Sequence, residues 1–351
     1  MPLDQKIDPS SIRKARLENP KARERDFAES LGASEAEFLA AHVGQGVVRI
    51  TADMDRLIPG VMRLGEVMAL TRNESCVIEK VGVYDDYRGG PHAALVVNHD
   101  IDLRMFPSRW KHGFAVEKTL EDGSTRRSLQ VFDAAGDAVH KVFLREASIL
   151  EEWDALVEEL REPDQSDTLE VRARTPTEPA KGSVEMAEKL RSEWDKITDT
   201  HQFLQMTRKL KMNRLGAYRI AGAPYVRPLA AEVVATVFEK ARDSEMPIMV
   251  FVGNMGCIEI HTGPIYNLKQ MGSWLNVLDP SFHMHLRTDD IAEVWQVTKA
   301  TRRGDAVSVE AFDKDGGIIL QIFGVLAEPE DAARWNEMVF ALPNLKKEET
   351  V

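Results

Sequence analysis

The 351-residue chain repeats itself once. Asn73-Glu74-Ser75-Cys76-Val77-Ile78-Glu79 reads against Asn254-Met255-Gly256-Cys257-Ile258-Glu259-Ile260, with the cysteines 181 residues apart. Ile101-Asp102-Leu103-Arg104 falls on Met284-His285-Leu286-Arg287 at an offset of 183, Lys118 on Lys299 at 181, and Phe132-Asp133 on Phe312-Asp313 at 180. Four anchors within three residues of one offset make chance a poor explanation. A period this long marks two duplicated domains rather than a solenoid, whose repeats run about 20–50 residues. Ligand sites favour domain interfaces, so function is to be sought where the two halves stop matching.

Length allows two domains of ordinary size, each with its own core. The formal net charge of −12 argues against a general nucleic-acid binder, because phosphate affinity needs a basic surface. It leaves room for a local basic pocket that holds a small anion. The two cysteines stand at equivalent repeat positions inside apolar runs, which reads as one small buried side chain in each of two cores; neither a disulfide nor a CxxC metal site is indicated. The N-terminus MPLDQKIDPS lacks a signal-peptide pattern, and no apolar run approaches about 18 residues. A reduced, cytoplasmic protein without membrane insertion is expected.

Residues 11–31 are charged and helical in pattern, and Ser34-Glu35-Ala36-Glu37 is a capping box leading into Phe38-Leu39. A helix-turn-helix for DNA would need a basic recognition helix. Ser34–His42 has two glutamates and no Lys or Arg, so an ordinary packed helix pair is the better reading. Strand-like segments follow at Val67–Leu70, Ser75–Val83, Ala93–Asn98, Asp102–Phe106, His112–Lys118, Ser128–Phe132 and Ala138–Leu144. An acidic amphipathic helix spans 147–161, and Glu162–Lys181, rich in Pro, Ser and Thr, reads as a flexible linker. The second half opens with helices at Val184–Ile197, Thr200–Lys211 and Leu229–Asp243. Strands resume at Ile248–Phe251, Cys257–His261, Ser281–Leu286, Ala292–Thr298, Ala306–Phe312 and Gly317–Phe323. Asp133–Asp137 and Asp313–Gly317 read as hairpin turns at matching places. The fold class is α+β, a tandem duplication of helices followed by a mostly antiparallel meandering sheet. The expected domains are 1–161 and 182–345, joined by the linker 162–181, with a frayed tail from Lys346.

Asp199-Thr200-His201-Gln202-Phe203-Leu204 can be laid on Ser34–Leu39, and His201 then falls on Ala36. In the first turn of a helix the macrodipole disfavours the cationic ring, and a neutral imidazole is what a metal ligand requires. Arg208, Lys209, Lys211, Arg214 and Arg219 follow, a basic run in an acidic protein. A neutral histidine beside cations suits a metal carried in a planar, apolar dianion. The competing reading is a capping or surface histidine next to a solvated charged face.

With Asp102-Leu103-Arg104-Met105-Phe106-Pro107-Ser108-Arg109-Trp110 and Phe282-His283-Met284-His285-Leu286-Arg287 added to the duplication and the pattern around His201, the chain resembles the bacterial cytoplasmic haemin-transport and haemin-degrading proteins (HemS-like, ChuS-like, HmuS-like). The resemblance covers residues from about 20 to 330 and rests on order and spacing rather than on one motif. It implies haem b in the cleft between the halves, with His201 as proximal iron ligand and Arg104 on the distal face. Phe106 would share the strand side of Arg104, and Arg214, Lys299 and Gln321 would line the pocket. Arg214 or Lys299 would answer the propionates. Where the family pattern has a tyrosine and an arginine this chain has Leu320 and Leu326, which removes two polar contacts.

His283 and His285 share a strand face, but no acidic third ligand stands at suitable spacing, so structural histidines are expected. His261, before Thr262-Gly263-Pro264, reads as a loop residue. No GxGxxG, P-loop or nucleophile elbow is present. The resemblance leaves two functions open. One is a haem carrier that receives imported haem from an inner-membrane importer and passes it to an acceptor. The other is an enzyme that opens the tetrapyrrole oxidatively with an external reductant, Arg104 then acting as distal hydrogen-bond donor. The two leucines lean toward transport. A homodimer is neither required nor excluded.

Overall fold

In the computed structural model, residues 7–302, 304–327 and 329–345 are described; the tail from Lys346 lies outside them. The first half runs α1 (Pro9–Glu18), α2 (Glu24–Ser30), α3 (Glu35–Ala40), β1 (Val47–Ile50), α4 (Met54–Arg63), β2 (Gly65–Arg72), β3 (Cys76–Val83), β4 (Tyr87–Arg88), β5 (Ala94–Val97), β6 (Asp102–Met105), β7 (His112–Thr119), β8 (Thr125–Phe132), β9 (Ala138–Ser148) and α5 (Glu151–Leu160). The second half repeats that order. It runs α6 (Ala187–Trp194), α7 (Gln202–Lys209), α8 (Arg214–Ala221), β10 (Val226–Leu229), α9 (Val233–Asp243), β11 (Ile248–Gly253), β12 (Cys257–Gly263), β13 (Leu268–Met271), β14 (Trp274–Asp279), β15 (Phe282–Arg287), β16 (Glu293–Thr301), β17 (Gly304–Phe312), β18 (Ile318–Gly324) and α10 (Pro329–Phe340).

The chain forms two compact units. In the first, strands lie in the order β1-β7-β8-β9-β2, and β4, β5 and β6 pair antiparallel in that order. In the second the order is β10-β16-β17-β18-β11, with β13-β14-β15. In each unit, apolar residues of the sheet pack on one side against a helix before and a helix after the meander. These are α4 and α5 around Leu57, Val61, Trp153 and Leu156 in the first, and α9 and α10 around Val237, Phe238, Trp335 and Val339 in the second. The first three helices of each half build a further core, through Phe38 with Phe114 and Phe132, and through Phe203 and Tyr218 with Trp295 and Phe312.

Local chemistry accounts for the matching joints. Ser34 and Glu37 form the reciprocal capping box read in the sequence. The expected hairpin turns are present, because Asp133 Oδ1 accepts from the N–H groups of Ala135 and Asp137, and Asp313 Oδ1 from those of Asp315 and Gly317. Gly136 at φ 81° and Gly316 at φ 90° supply the left-handed backbone that closes each turn.

The units are not two uninterrupted lengths of chain. Residues 73–78 belong to the second unit and 253–259 to the first. Cys76 and Ile78 therefore sit in the core around α9 and α10, and Cys257 in the core around α4 and α5. Both cysteines are buried and free, as expected. Paired asparagines hold the exchanged segments. Asn73 accepts from the N–H groups of Ser75 and Cys76 and donates to the Ile319 carbonyl; Asn254 accepts from Gly256 and Cys257 and donates to the carbonyls of Arg72 and Val139.

Other elements differ from expectation. Residues 11–31 form two helices, α1 and α2, parted by Asn19–Arg23. Leu229 belongs to β10, and α9 starts at Val233. Helices α4, α8 and α10 and strands β1, β4, β10, β13 and β14 were not legible; α4 carries Pro59 inside it. The stretch 162–181 contains no helix or strand, but it is pinned rather than loose as far as Arg174. Gln165 exchanges hydrogen bonds with the Arg49 backbone, Leu169 is buried against α1–α3, and Arg174 makes a forked contact to Asp137.

Candidate functional site

His201 stands at the N-terminal end of α7 with its side chain 90% exposed. The segment reaches this geometry through its own polar residues. Asp199 Oδ1 accepts from the His201 N–H at 2.8 Å, and Gln202 reaches back to accept from the Thr198 N–H at 2.9 Å. The same Asp199 oxygen lies 2.6 Å from His201 Nδ1. Those bonds hold the Asp199 carboxyl below its ordinary value, so it stays ionised and fixes the proton on Nδ1. A neutral ring so held would present Nε2 as its lone-pair nitrogen, the arrangement of a metal-ligating histidine oriented by a carboxylate. Phe203 is buried against Trp194 and Tyr218, with ring centroids 4.8 and 5.5 Å away. The opposite face of α7 therefore carries His201, Leu204, Gln205 and Arg208, all exposed.

Arg214, Lys299 and Gln321 come together in the same unit, around a residue that the sequence reading missed. Glu310 on β17 is fully buried. Its Oε2 accepts from Arg214 Nη1 at 2.9 Å and the Tyr218 hydroxyl at 2.8 Å. Its Oε1 accepts from Lys299 Nζ and the Ser308 hydroxyl, each at 2.9 Å. Burial alone would raise the Glu310 carboxyl, but Lys299 and Arg214 hold it down at about 2. Lys299 Nζ also lies 4.8 Å from the Phe203 ring centroid, which ties this knot to the helix of His201. The signal that could have found Glu310 is an acid in the inward phase of Ala306–Phe312, where the other half has Gln130.

Gln321 is the register partner of both Glu310 and Phe251, and directly opposed residues share a sheet face. Phe251 and Phe323 meet there edge to face at 5.2 Å. Leu320 points the other way, 1% exposed in the core with α9 and α10. Its being apolar removes nothing from the face of Gln321, so that part of the expected departure is withdrawn: alternate strand residues face opposite sides. Leu326 lies beyond the end of β18 and is half-buried.

Arg104 and Phe106 belong to the first unit. Arg104 is half-buried on β6 and donates to Asp102, two residues back on the same strand face, and to the Leu103 carbonyl. Phe106 follows that strand, its N–H donating to the Gly256 carbonyl at 2.9 Å. The basic run is mostly committed: Lys209 pairs with Glu193, Arg214 with Glu310 and Arg219 with Glu293. His285 Nδ1 engages Asn276 Oδ1 at 2.6 Å. His261 is not a loop residue; it lies buried in β12, stacked 3.7 Å from the Phe282 ring.

In the first unit an ion triad stands at the start of α3. Glu35, beside Ala36, receives Lys141 and Arg72. Burial pushes its carboxyl up, but these two cations hold it at about 2. By element order α7 answers α2 and α8 answers α3, so the alignment of His201 on Ala36 does not hold; the start of α2, Arg23-Glu24, also lacks a histidine. Another buried cluster there went unread: His140 bridges the Tyr84 and Thr71 hydroxyls at 2.6 and 2.8 Å, close to Cys257 and Glu259.

Residues 32–160 and 211–342 each match the family model described as the haemin-degrading HemS.ChuX domain. The chain is 33% identical over 332 residues to the hemin transport protein HmuS of Yersinia pestis, covering 94% of this chain and 95% of that one. The crystal structure of holo-PhuS, a heme-binding protein from Pseudomonas aeruginosa, superposes with a TM-score of 0.91 at 42% identity, covering 97% of this chain and all of that one. The heme degrading enzyme ChuS of Escherichia coli O157:H7 superposes at 0.86 with 30% identity, covering 94% and 97%.

Proposed function

Because the chain belongs to the haemin-degrading HemS/ChuX family, we propose that it binds haem and passes it on after import. The observation that carries this reading is His201, exposed at a helix start with Nδ1 held by the Asp199 carboxylate. That donor set fits haem iron: one imidazole nitrogen faces away from the carboxylate and the ring's orientation is fixed by a second residue. His201 is the proposed proximal ligand. Arg104 and Phe106 are proposed haem contacts from the first unit and Gln321 from the second, where Arg214 and Lys299 are bound to Glu310. Phe251 and Phe323 would supply apolar surface for a porphyrin beside Gln321.

The chain itself contributes binding, orientation and proton positions. Asp199 keeps the His201 proton on Nδ1, and Arg104 offers N–H donors whose aim is set by Asp102. When bound, haem iron would supply the redox chemistry that a degrading activity needs. Oxidative opening of the tetrapyrrole is the second reading, favoured by the likeness to the heme degrading enzyme ChuS. Electrons for it would come from an external reductant. A cytoplasmic location, an inner-membrane importer as donor, a haem acceptor as recipient and a homodimer belong to the proposal. No helix among the described residues is long and apolar enough to cross a membrane.

An aerobic spectral titration with one equivalent of haemin, followed by ascorbate in the presence of catalase, tests both readings. A carrier gives a shifted Soret band that persists, whereas a degrading enzyme loses it with release of iron. His201→Ala is expected to weaken haem binding and move the Soret band, whereas His283→Ala and His285→Ala leave it in place. Absence of any Soret shift in the wild type sinks the haem reading.

A further inference from the structure

We infer that Arg208 is the residue that receives a carboxylate of the bound tetrapyrrole, an inference that rests on the haem reading above. The two cations that the resemblance offers for this task are already engaged. Lys299 and Arg214 both donate to Glu310, and its two oxygens are further occupied by Ser308 and Tyr218. A carboxylate of this chain thus stands where a ligand carboxylate would have to compete, and Glu310 and Lys299 are almost wholly shielded from solvent. Lys209 is held by Glu193 and Arg219 by Glu293. Lys211 has left the helix, at φ 56° beyond its last turn.

Arg208 differs on each count. It is exposed, and its side chain has no ion pair among the described residues. It follows His201 by seven positions, so it lies on the same helix face two turns along, about 10 Å down the axis. Leu204 and Gln205 lie between them on that face, and Leu204 is 43% exposed. A ligand that coordinates His201 and extends along α7 meets an apolar side chain and then a guanidinium. A planar apolar molecule with carboxylates at one edge presents the same groups in the same order, and a guanidinium forks onto a carboxylate with two parallel hydrogen bonds.

The test compares haemin with haemin dimethyl ester, whose carboxylates are capped, in titrations of the full-length protein. The wild type should favour haemin over the diester. Arg208→Ala should reduce that preference by about tenfold or more, with little effect on diester affinity, and Arg208→Lys should keep part of it. Lys209→Ala, a change of equal charge one residue on, should leave the preference intact. An unchanged preference in Arg208→Ala, or an equal loss in Lys209→Ala, overturns the assignment while His201→Ala still reports on haem binding. If the wild type binds neither compound, the haem reading falls and this inference with it.

Discussion

Glu310 shows how one residue can change what its neighbours are for. Lys299 and Arg214 were legible as cations at matching family positions, and a carboxylate on the ligand was the natural partner to assign. Their actual partner lies on the adjacent strand and on no local motif. Breaking a buried ion pair by removing one partner leaves an uncompensated charge and costs about 3–5 kcal/mol. Glu310→Gln should therefore lower stability by about 3 kcal/mol at neutral pH, read from urea unfolding. The pH dependence has a definite sign. The folded carboxyl titrates near 2 against 4.5 for the free group, so its contribution is present above about 4.5 and is lost as pH falls towards 2. The variant should show a shallower acid limb than the wild type; an identical limb would mean that Glu310 is not ionised in the fold. His201 was legible as a histidine that the other half lacks, and Asp199 two residues earlier only as a residue laid on Ser34. The second role of Asp199, on the ring nitrogen, needed coordinates.

At the scale of elements, β3 and β12 are both entered through Asn-x-x-Cys and then diverge at buried positions. The residue two beyond the first cysteine is Ile78; two beyond the second is Glu259. Glu259 is fully buried, neither oxygen meets a hydrogen-bond partner in good geometry among the described residues, and burial pushes its carboxyl up to about 8 from 4.5 against the smaller opposing pull of Thr71. It shares this part of the first unit with Lys80, Tyr84 and Cys257. A group whose folded value is raised supports the fold fully below about 4.5 and ceases to do so as pH rises through 8. Glu259→Gln should flatten the decline in thermal stability across that window while changing little at pH 5. A wild type equally stable at pH 5 and pH 9 would contradict a protonated Glu259. The strand pattern around it, Cys257-Ile258-Glu259-Ile260-His261, alternates as a strand should, and that was readable. Which face carries polar groups was not, since alternation gives two phases and only packing chooses between them.

At the scale of the whole molecule, the exchange of 73–78 and 253–259 means that neither half of the sequence contains its whole unit. A fragment of residues 1–175 lacks Cys257 in its core and the Gly256 carbonyl that accepts from Trp110. A fragment of 176–351 lacks Cys76, Ile78 and the Asn73 amide on Ile319. Each fragment alone should unfold at lower urea than the intact chain, read by tryptophan fluorescence; midpoints equal to that of the intact chain would show the exchanged segments to be dispensable. By itself the sequence determined the duplication, most strands, the capping box, the Asp–Gly turns and the histidine that one half has and the other lacks. All of these depend on spacing and on hydrogen bonds within a few residues. Only the tertiary structure decided which unit each Asn-x-x-Cys segment completes, that Leu320 faces the core and Gln321 the opposite side, and that Glu310 holds two of the expected ligand cations. Those outcomes depend on groups brought together from up to about 250 residues apart, such as Asn73 with Ile319, and on a choice of sheet face that a period of two leaves open.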